Sequence, residues 1–388
     1  MAFYPSARHR ALALVLFLTA TVAATGGASL APAETPALQR AASISLQTLA
    51  RFGCADCGGS RQLTPTSLAF LDNGAVAVLD SYEPFVRVFD DAGELVVAFG
   101  TAGEGPGEMG VNGGGRWIPA AWLFGMPEGV VAVLDPVRPL LKTFDAAGVH
   151  TGQQPLDLVF AVPNAQAFDP ETRTYFRLGF DPGSRSRMIW RCSLDAPDGP
   201  ECGDFLAPDV FIRDETEPGS DAGSPRLELG ASPAGELLIA DPARYRIWML
   251  DGNAEVVLRA GRSPPRAEKT AAELAREEEM NQRLVAAGRA PRPIGPHRMH
   301  LEQVGVQVDA ERRIWVLTQR YTDDNSIFDV FGADGAYLTE IMVGAVIRRG
   351  SWHVGNSFII AGRRLAAITQ QPDGSEAVQV WEIGNAGR

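Results

Sequence analysis

The chain has 388 residues and carries 47 acidic against 35 basic side chains, a formal net charge of −12 at pH 7. An acidic surface repels polyanions, so we expect neither nucleic acid nor an anionic membrane as a partner. The length allows two ordinary domains or one large repeat array.

The N-terminus has the features of an export signal. Arg8 and Arg10 precede an apolar run over residues 11–24, and residues 31–33 read Ala-Pro-Ala, a candidate cleavage site. The apolar run is shorter than the roughly 20 residues that a membrane-spanning helix needs. We therefore predict a signal peptide at residues 1–33, no membrane span, and a single domain over residues 34–388 that is periplasmic or secreted.

Two of the four cysteines form a CxxC sequence, Cys54 and Cys57. Cysteines in an exported chain favour disulfides over metal sites or free thiols. This CxxC does not open a helix in a βαβ context, as a redox motif would, and no His follows it as haem attachment requires. A local structural disulfide is the prediction, and a redox CxxC is the alternative.

An alternation of short apolar runs and tight turns begins at Pro65. Residues 65–100 read PTSLAFL, DNG, AVAVLD, a short loop, VRVFD, DAG and ELVVAFG. The runs alternate or are rich in β-branched residues, and Asp or Asn followed by Gly is a hairpin signal. This pattern predicts one four-stranded antiparallel meander.

The loop after this unit, AFGTAGEGPGEM at residues 98–109, leads into a GxGxxG sequence at residues 105–110. A nucleotide-binding loop needs its backbone N–H groups free for phosphate and a helix directly after it. Pro106 lacks one of those N–H groups, and Glu104 and Glu108 would repel phosphate. We interpret the glycines as the crossing between two repeat units.

The end of the second strand recurs along the chain about every 50 residues, which is typical of a repeat architecture. One longer interval, between the fourth and fifth units, contains a predicted helical insertion. Six units indicate six blades that bury their faces against one another. The six second strands end at Asp80, Asp135, Asp181, Asp241, Thr318 and Thr369.

In the third unit, Cys192 and Cys202 fall in the predicted third and fourth strands, symmetrically about Pro197. Cross-strand neighbours have a Cβ separation that suits a disulfide. We predict a bond between them. A zinc site built from all four cysteines is disfavoured because the two pairs belong to different blades.

Residues 262–292 form the insertion between blades four and five. Thr270 and Glu273 have the spacing of a capping box, and Gly288 supplies a stop. The pattern predicts a helix over residues 271–287. It is either a charged surface helix or a lid or partner-docking element.

The sixth unit ends before its outer strand. The strand predicted at residues 43–53 ends in Phe-Gly, as does the outer strand of the first unit. We expect it to pair with residues 377–383 and to close the ring, which would remove exposed sheet edges.

The segment VRVFDDAGELVVAFGTAGEGPGEM, residues 86–109, resembles the repeat of the NHL-repeat and six-bladed β-propeller superfamily, and residues 246–261 are a weaker copy. The resemblance covers essentially all of residues 43–384. It implies an all-β, six-bladed propeller of four-stranded blades. It implies little about activity, because the superfamily includes hydrolases, lyases, sensors and interaction modules.

The longer loops of the six units are expected on one rim of such a ring, at residues 101–121, 204–224, 262–301 and 344–353. Binding residues concentrate in loops on a rigid scaffold, although insertions also accumulate where they do no harm. Aromatic and Arg side chains are frequent interface anchors. The candidate binding residues on this rim are Tyr82, Arg116, Trp117, Trp122, Arg244, Tyr245, Arg320 and Tyr321.

A metal site at the mouth of the central channel is the second hypothesis. Three histidines, His297, His300 and His353, precede or enter inner strands, and three histidines with an open position suit zinc. The amidating lyases of the superfamily resemble this arrangement, but there the ligands come from spaced blades. Lactonase-type propellers imply an oxygen set for calcium or another divalent cation. The candidates for that set are Glu228, Glu302 and Asn164.

The sequence therefore predicts an exported, monomeric, non-catalytic binding module with no required cofactor, which binds a protein or a small molecule through its long-loop rim. The alternative is a metal-dependent hydrolase or lyase whose zinc or calcium site lies at the channel mouth.

Overall fold

A computed structural model shows six antiparallel sheets arranged as the blades of a β-propeller, which confirms the predicted fold class. The helices of the described residues include none that is long and apolar enough to cross a membrane. The structure describes residues 44–54, 57, 62–110, 122–135, 140–155, 161–169, 171–181, 186–194, 201–207, 227–348 and 355–384.

Blades one to five are four-stranded meanders whose strands pair in chain order from the inner to the outer edge, whereas the outer strand of blade six comes from the start of the chain. The first strand in chain order, β1, is Ser45–Phe52. Blade one consists of β2 Pro65–Phe70, β3 Val76–Asp80, β4 Val86–Phe89 and β5 Leu95–Phe99, and blade two of β6 Trp122–Gly125, β7 Val131–Asp135, β8 Leu140–Phe144 and β9 His150–Pro155. Blade three consists of β10 Ala161–Asp169, β11 Thr174–Asp181, β12 Ser186–Ser193 and β13 Glu201–Leu206.

The second half of the ring contains the insertion and the closing blade. Its elements are β14 Glu228–Ala231, β15 Leu237–Asp241, β16 Arg246–Leu250 and β17 Val256–Gly261 in blade four; the helix α1, Ala271–Ala286; β18 Leu301–Val308, β19 Ile314–Thr318, β20 Ser326–Phe331 and β21 Tyr337–Val343 in blade five; and β22 Val346–Ile347, β23 Phe358–Ala361, β24 Arg364–Gln370 and β25 Glu376–Gly384 in blade six.

The hydrophobic core is divided into six clusters, one between each pair of neighbouring blades. The second strand of a blade supplies residues to the cluster on either side of it. In β3, Ala77 and Leu79 pack toward blade two, while Val76 and Val78 pack toward blade six. The second strands are therefore apolar at nearly every position, because both of their faces are buried.

Closure of the ring follows the prediction. The strand β1 pairs antiparallel with β25, with Leu46 opposite Ile383 and Phe52 opposite Val378. Phe52 is buried in the cluster between blades six and one and stacks on Phe89, with ring centroids 4.2 Å apart. The N-terminal strand thus completes blade six and also covers blade one.

The inner edge of blade six differs from the other five. Two short strands, β22 and β23, both pair with β24, where each of the other blades has one inner strand. Arg348, just after β22, donates hydrogen bonds to the carbonyl oxygens of Pro65 and Thr66 in blade one and forms an ion pair with Glu376. This side chain links the last blade to the first at the inner edge.

The GxGxxG loop is a structural crossing, as predicted. The Glu108 carboxylate accepts a hydrogen bond from the backbone N–H of Gly105 at 2.6 Å. Met109 is buried between blades one and two, and its N–H donates to the Thr101 carbonyl. The loop uses its own backbone and carboxylate groups to fold back on itself, so these groups are not presented to a phosphate.

Both predicted cysteine pairs are at disulfide distance. Cys192 lies opposite Cys202 across β12 and β13, with Cα atoms 4.0 Å apart. Cys54 and Cys57 close a short loop directly after β1, with Cα atoms 5.1 Å apart. No free cysteine is found in the described part of the chain.

The closure makes a testable prediction at Phe52. Replacement with Ala removes a buried ring, 1% exposed, from the interface between blades six and one. We expect F52A to lower the free energy of unfolding by about 3–5 kcal/mol, measured by urea denaturation.

The matched control is Leu49→Ala in the same strand. Leu49 is 39% exposed, so its loss should cost less than about 1 kcal/mol. Equal effects of F52A and L49A would contradict the packing of β1 in the ring.

Candidate functional site

The two rims of the ring differ in their connections. On one rim, here named the tight-turn rim, short turns join the first strand of a blade to the second and the third to the fourth, and several of these turns are held by an Asp side chain. In two examples, the carboxylate of Asp90 accepts from the N–H groups of Ala92 and Glu94, and Asp251 does the same for its own turn. The long-loop rim, on the opposite side, carries residues 81–85, 100–110, 242–245, 262–300, 319–325 and 344–348 among the described connections.

The eight predicted binding residues differ in their exposure and placement in the structure. Tyr82 is 60% exposed, Arg244 and Arg320 are partly exposed, and Tyr321 is half-buried, all on the long-loop rim. Arg116 and Trp117 lie outside the described residues.

Trp122 and Tyr245 are corrections to the exposed-rim prediction. Trp122 is only 2% exposed because it begins β6 and packs in the cluster between blades two and three. Tyr245 is only 1% exposed and packs between blades four and five. Neither ring is available to a ligand at the surface of the rim.

Tyr245 instead belongs to a buried polar network between blades four and five. Its hydroxyl donates to the carboxylate of Asp329, a fully buried residue of β20. Arg262 and Arg320 also donate to Asp329, at 3.1 and 2.6 Å. Burial and the Asp329 carboxylate both raise the pKa of Tyr245, so the phenol stays protonated. Two cations and one phenol thus compensate one buried carboxylate.

A second network holds the helical insertion against blade five. Glu273, in the first turn of α1, forms the predicted capping box with Thr270. Its carboxylate also accepts from Arg298 at 2.9 Å and from the hydroxyl of Tyr321. The Arg298 guanidinium lies over the Tyr321 ring, 3.9 Å from its centroid, a cation–π contact.

These contacts shift the titration of Glu273. Burial acts to raise its pKa, but the hydrogen bonds from Arg298, Tyr321 and Thr270 outweigh burial and lower the pKa to about 2. The carboxylate therefore stays charged at neutral pH and fixes the start of the helix. The segment after the helix is held against the helix by Asn281, whose side chain exchanges two hydrogen bonds with the backbone of Arg292.

His300 lies directly before the inner strand of blade five. Its backbone N–H donates to the Pro242 carbonyl at 2.8 Å, and its ring lies 5.6 Å from that of Tyr245. Burial, followed by the nearby guanidinium groups of Arg266 and Arg320, lowers the pKa of His300 to about 4. The imidazole is therefore neutral at physiological pH.

The three-histidine hypothesis has only two described members. His297 is exposed and His300 is half-buried, and Arg298, which directly follows His297, forms an ion pair with Glu273. His353 lies outside the described residues. Within the described ranges, no group of three or more His, Cys, Asp or Glu side chains has an arrangement that could hold a metal ion.

The predicted oxygen ligands are divided in the same way. Glu228 and Glu302 are both buried at the starts of inner strands, in blades four and five. The side chain of Asn164, on β10, lies outside the described residues. The metal hypothesis therefore remains a prediction.

Sequence reasoning missed the partners that bring these residues together. Asp329, Arg262 and Arg298 were not singled out, although all three belong to the segments that flank or face the insertion. The available signal was an excess of Arg at the two ends of the insertion, opposite a carboxylate in the middle of an otherwise apolar strand, SIFDVF.

Comparisons with known proteins support the fold alone. No protein-family model matches this chain, and no curated protein matches it. A member of the DUF4221 family from Bacteroides vulgatus is similar in structure, with a TM-score of 0.53 and 11% identity over 89% of this chain and 100% of that chain. A candidate exported protein from Bacteroides fragilis gives a TM-score of 0.46 and 12% identity over 91% and 98% of the two chains. A catalytically inactive virginiamycin B lyase from Staphylococcus aureus gives 0.44 and 9% over 87% and 99%.

The Glu273 network predicts a dependence of stability on pH. A carboxyl group whose pKa is lowered by folding stabilises the protein above its ordinary pKa of 4.5, and that stabilisation is lost as the pH falls toward about 2. Glu273→Gln should therefore lose stability at neutral pH. The difference from the unsubstituted protein should shrink between about pH 5 and pH 2, measured as the urea midpoint followed by helical circular dichroism.

Glu279→Gln is the matched control, because Glu279 lies on the same helix in an exposed ion pair with Arg283. Its stability should follow that of the unsubstituted protein at every pH. Stability curves of E273Q and the unsubstituted protein that stay parallel down to pH 2 would rule out the anchoring role of Glu273.

Proposed function

We propose that the protein is an exported binding module that holds a protein or a small-molecule ligand on its long-loop rim. The observation that carries this proposal is the anchored insertion. An insertion that contains a 16-residue helix is held in one orientation on this rim by Glu273, Arg298 and Tyr321, whereas the opposite rim is built from tight turns. A surface that is fixed before binding costs less entropy when a ligand arrives.

Other loops of the long-loop rim are also fixed by hydrogen bonds. Asp80, at the end of β3, accepts from the N–H of Tyr82, and Asp241, at the end of β15, accepts from those of Ala243 and Arg244. The exposed ring of Tyr82 therefore stands on a rigid turn. Rigid aromatic side chains on preorganised loops are frequent binding anchors.

Export and family membership are parts of the proposal. The predicted signal at residues 1–33 and the two disulfides favour the periplasm or the exterior of the cell, because disulfides persist in oxidising compartments. The NHL-repeat resemblance of residues 86–109 supports a repeat of that family within the propeller.

The binding proposal is tested by capture with immobilised residues 34–388 from a periplasmic or culture-medium extract of the source organism. Tyr82→Ala should reduce capture of a specific ligand about tenfold, the effect of losing one aromatic anchor. Proteins are quantified on the beads, and small molecules are identified by mass spectrometry after the captured protein is denatured.

The control is Val149→Ala, which truncates a 59%-exposed side chain on the tight-turn rim. Capture should be unchanged. A ligand whose capture depends on Val149 and not on Tyr82 would place binding on the tight-turn rim and overturn the proposal.

The alternative function is a metal-dependent hydrolase or lyase with its site at the channel mouth. It requires His297 and His300 to be joined by His353, or Glu228 and Glu302 by Asn164. Elemental analysis of the purified protein distinguishes the two. The binding module is expected to carry less than about 0.1 equivalents of zinc or calcium, whereas about one equivalent, lost on His300→Ala or Glu302→Gln, would favour the metal site.

A further inference from the structure

Arg266 differs from the other arginines that surround it on the long-loop rim. Arg244, Arg262, Arg298 and Arg320 each form an ion pair with a carboxylate. Arg266 is exposed, and it has no carboxylate partner within the described residues. Its guanidinium is therefore the one of these five that forms no ion pair in the described part of the chain.

The Arg266 side chain is nevertheless held in place. One terminal nitrogen donates to the carbonyl of Ala243 at 2.6 Å, and Nε lies 3.4 Å from Nε2 of His300. The first contact fixes the guanidinium to the 242–245 loop of blade four, and the second fixes it to the start of blade five. A positioned guanidinium loses less entropy on binding than a free one.

His300 adds a second donor to the same place. Because its Nε2 accepts a hydrogen bond from Arg266, that nitrogen carries no proton, and the ring proton is on Nδ1. In the described part of the structure, no acceptor is bonded to that Nδ1–H. The remaining Arg266 N–H groups and this N–H form a set of donors that no acceptor of the described residues meets, so a bound ligand can supply the acceptors.

A ligand that offers acceptors and a compensating negative charge is an oxyanion. The guanidinium fork fits a carboxylate with two parallel hydrogen bonds. One neutralised charge calls for a monoanion, and the acidic protein, with a net charge of −12, disfavours more highly charged anions such as phosphate.

We propose that Arg266 and His300 form a carboxylate-binding site on the long-loop rim, beside the start of β18, for the carboxylate group of a small organic acid. This inference rests on the proposed binding function and specifies the chemistry of its ligand. His300 acts as a positioning residue for Arg266 and as a second hydrogen-bond donor.

The test is a titration of the folded protein with propionate, followed by the ¹H–¹⁵N signals of arginine Nε–H groups and of the backbone. Propionamide, which has the same shape without the charge, and inorganic phosphate are the other probes. Propionate should shift the Arg266 and His300 signals in a saturable manner, and propionamide should not. Arg266→Gln should weaken propionate binding at least about tenfold, the loss expected for a charged bidentate contact.

Arg276→Gln is the matched control, because Arg276 is also exposed and its Nε bonds only to the backbone carbonyl of Ala272. Both substitutions remove one positive charge, so a general charge effect would be equal in the two. Propionate affinity that is unchanged in R276Q and reduced in R266Q supports the site.

Three results would overturn it: equal affinities of R266Q and R276Q for propionate, no saturable shift with propionate, or phosphate binding at least as tightly as propionate. The outcome is separable from that of the capture experiment. Ligand capture that depends on Tyr82 without propionate binding would refute the carboxylate site alone, whereas Val149-dependent capture would refute the choice of rim.

Discussion

Each blade of this protein has two apolar faces, and a four-stranded sheet cannot cover both by itself. Burial is achieved because every blade lies between two others, with one hydrophobic cluster in each of the six gaps. This requirement leaves no place for a terminal blade with an uncovered face. The pairing of β1 with β25 is therefore the contact on which the rest depends, because β1 completes blade six. The completed blade contributes to the cluster around Phe358 on the side of blade five and covers Val78 of blade one on its other side.

The charged groups of the long-loop rim are arranged around the same gaps. Asp329 is buried at the junction of blades four and five, and the three groups that compensate it come from blade four, the root of the insertion and blade five: the Tyr245 hydroxyl, Arg262 and Arg320. Removing one partner would leave a buried charge with fewer bonds, which is costly. The root of the insertion therefore contacts a residue that is buried between two blades, and the helix is held in a fixed position on the ring.

Local signals were sufficient to predict most of the fold. The repeat period, the Asp-Gly turns and the unfinished sixth unit led to six blades and to the closing strand, because hairpin chemistry is encoded within a few residues. The disulfide between Cys192 and Cys202 followed from their symmetry about a turn. The split inner edge of blade six was not predicted, since β22 is too short for a periodic signal.

The site could be predicted only in part. Chain order placed Trp122 and Tyr245 beside rim loops, but it could not show toward which blade their rings turn, and packing between blades buried both. The partners of Arg320 and Tyr321 lie on other elements: Asp329 on the next strand and Glu273 in the insertion. Contacts of this kind depend on how blades are placed around the ring, which no short stretch of sequence specifies.

The closing blade also has a topological consequence. Ser45 of β1 lies opposite Gly384 of β25, at the position where every other blade has a hairpin between its third and fourth strands. A short covalent turn between these two residues would supply the missing hairpin. The chain could then be opened at another turn of the same rim, for example at Gly335, and still form the same six-bladed propeller. The packing of this fold therefore does not depend on which turn carries the chain ends. It depends on the order of the blades around the axis, which the sequence must preserve.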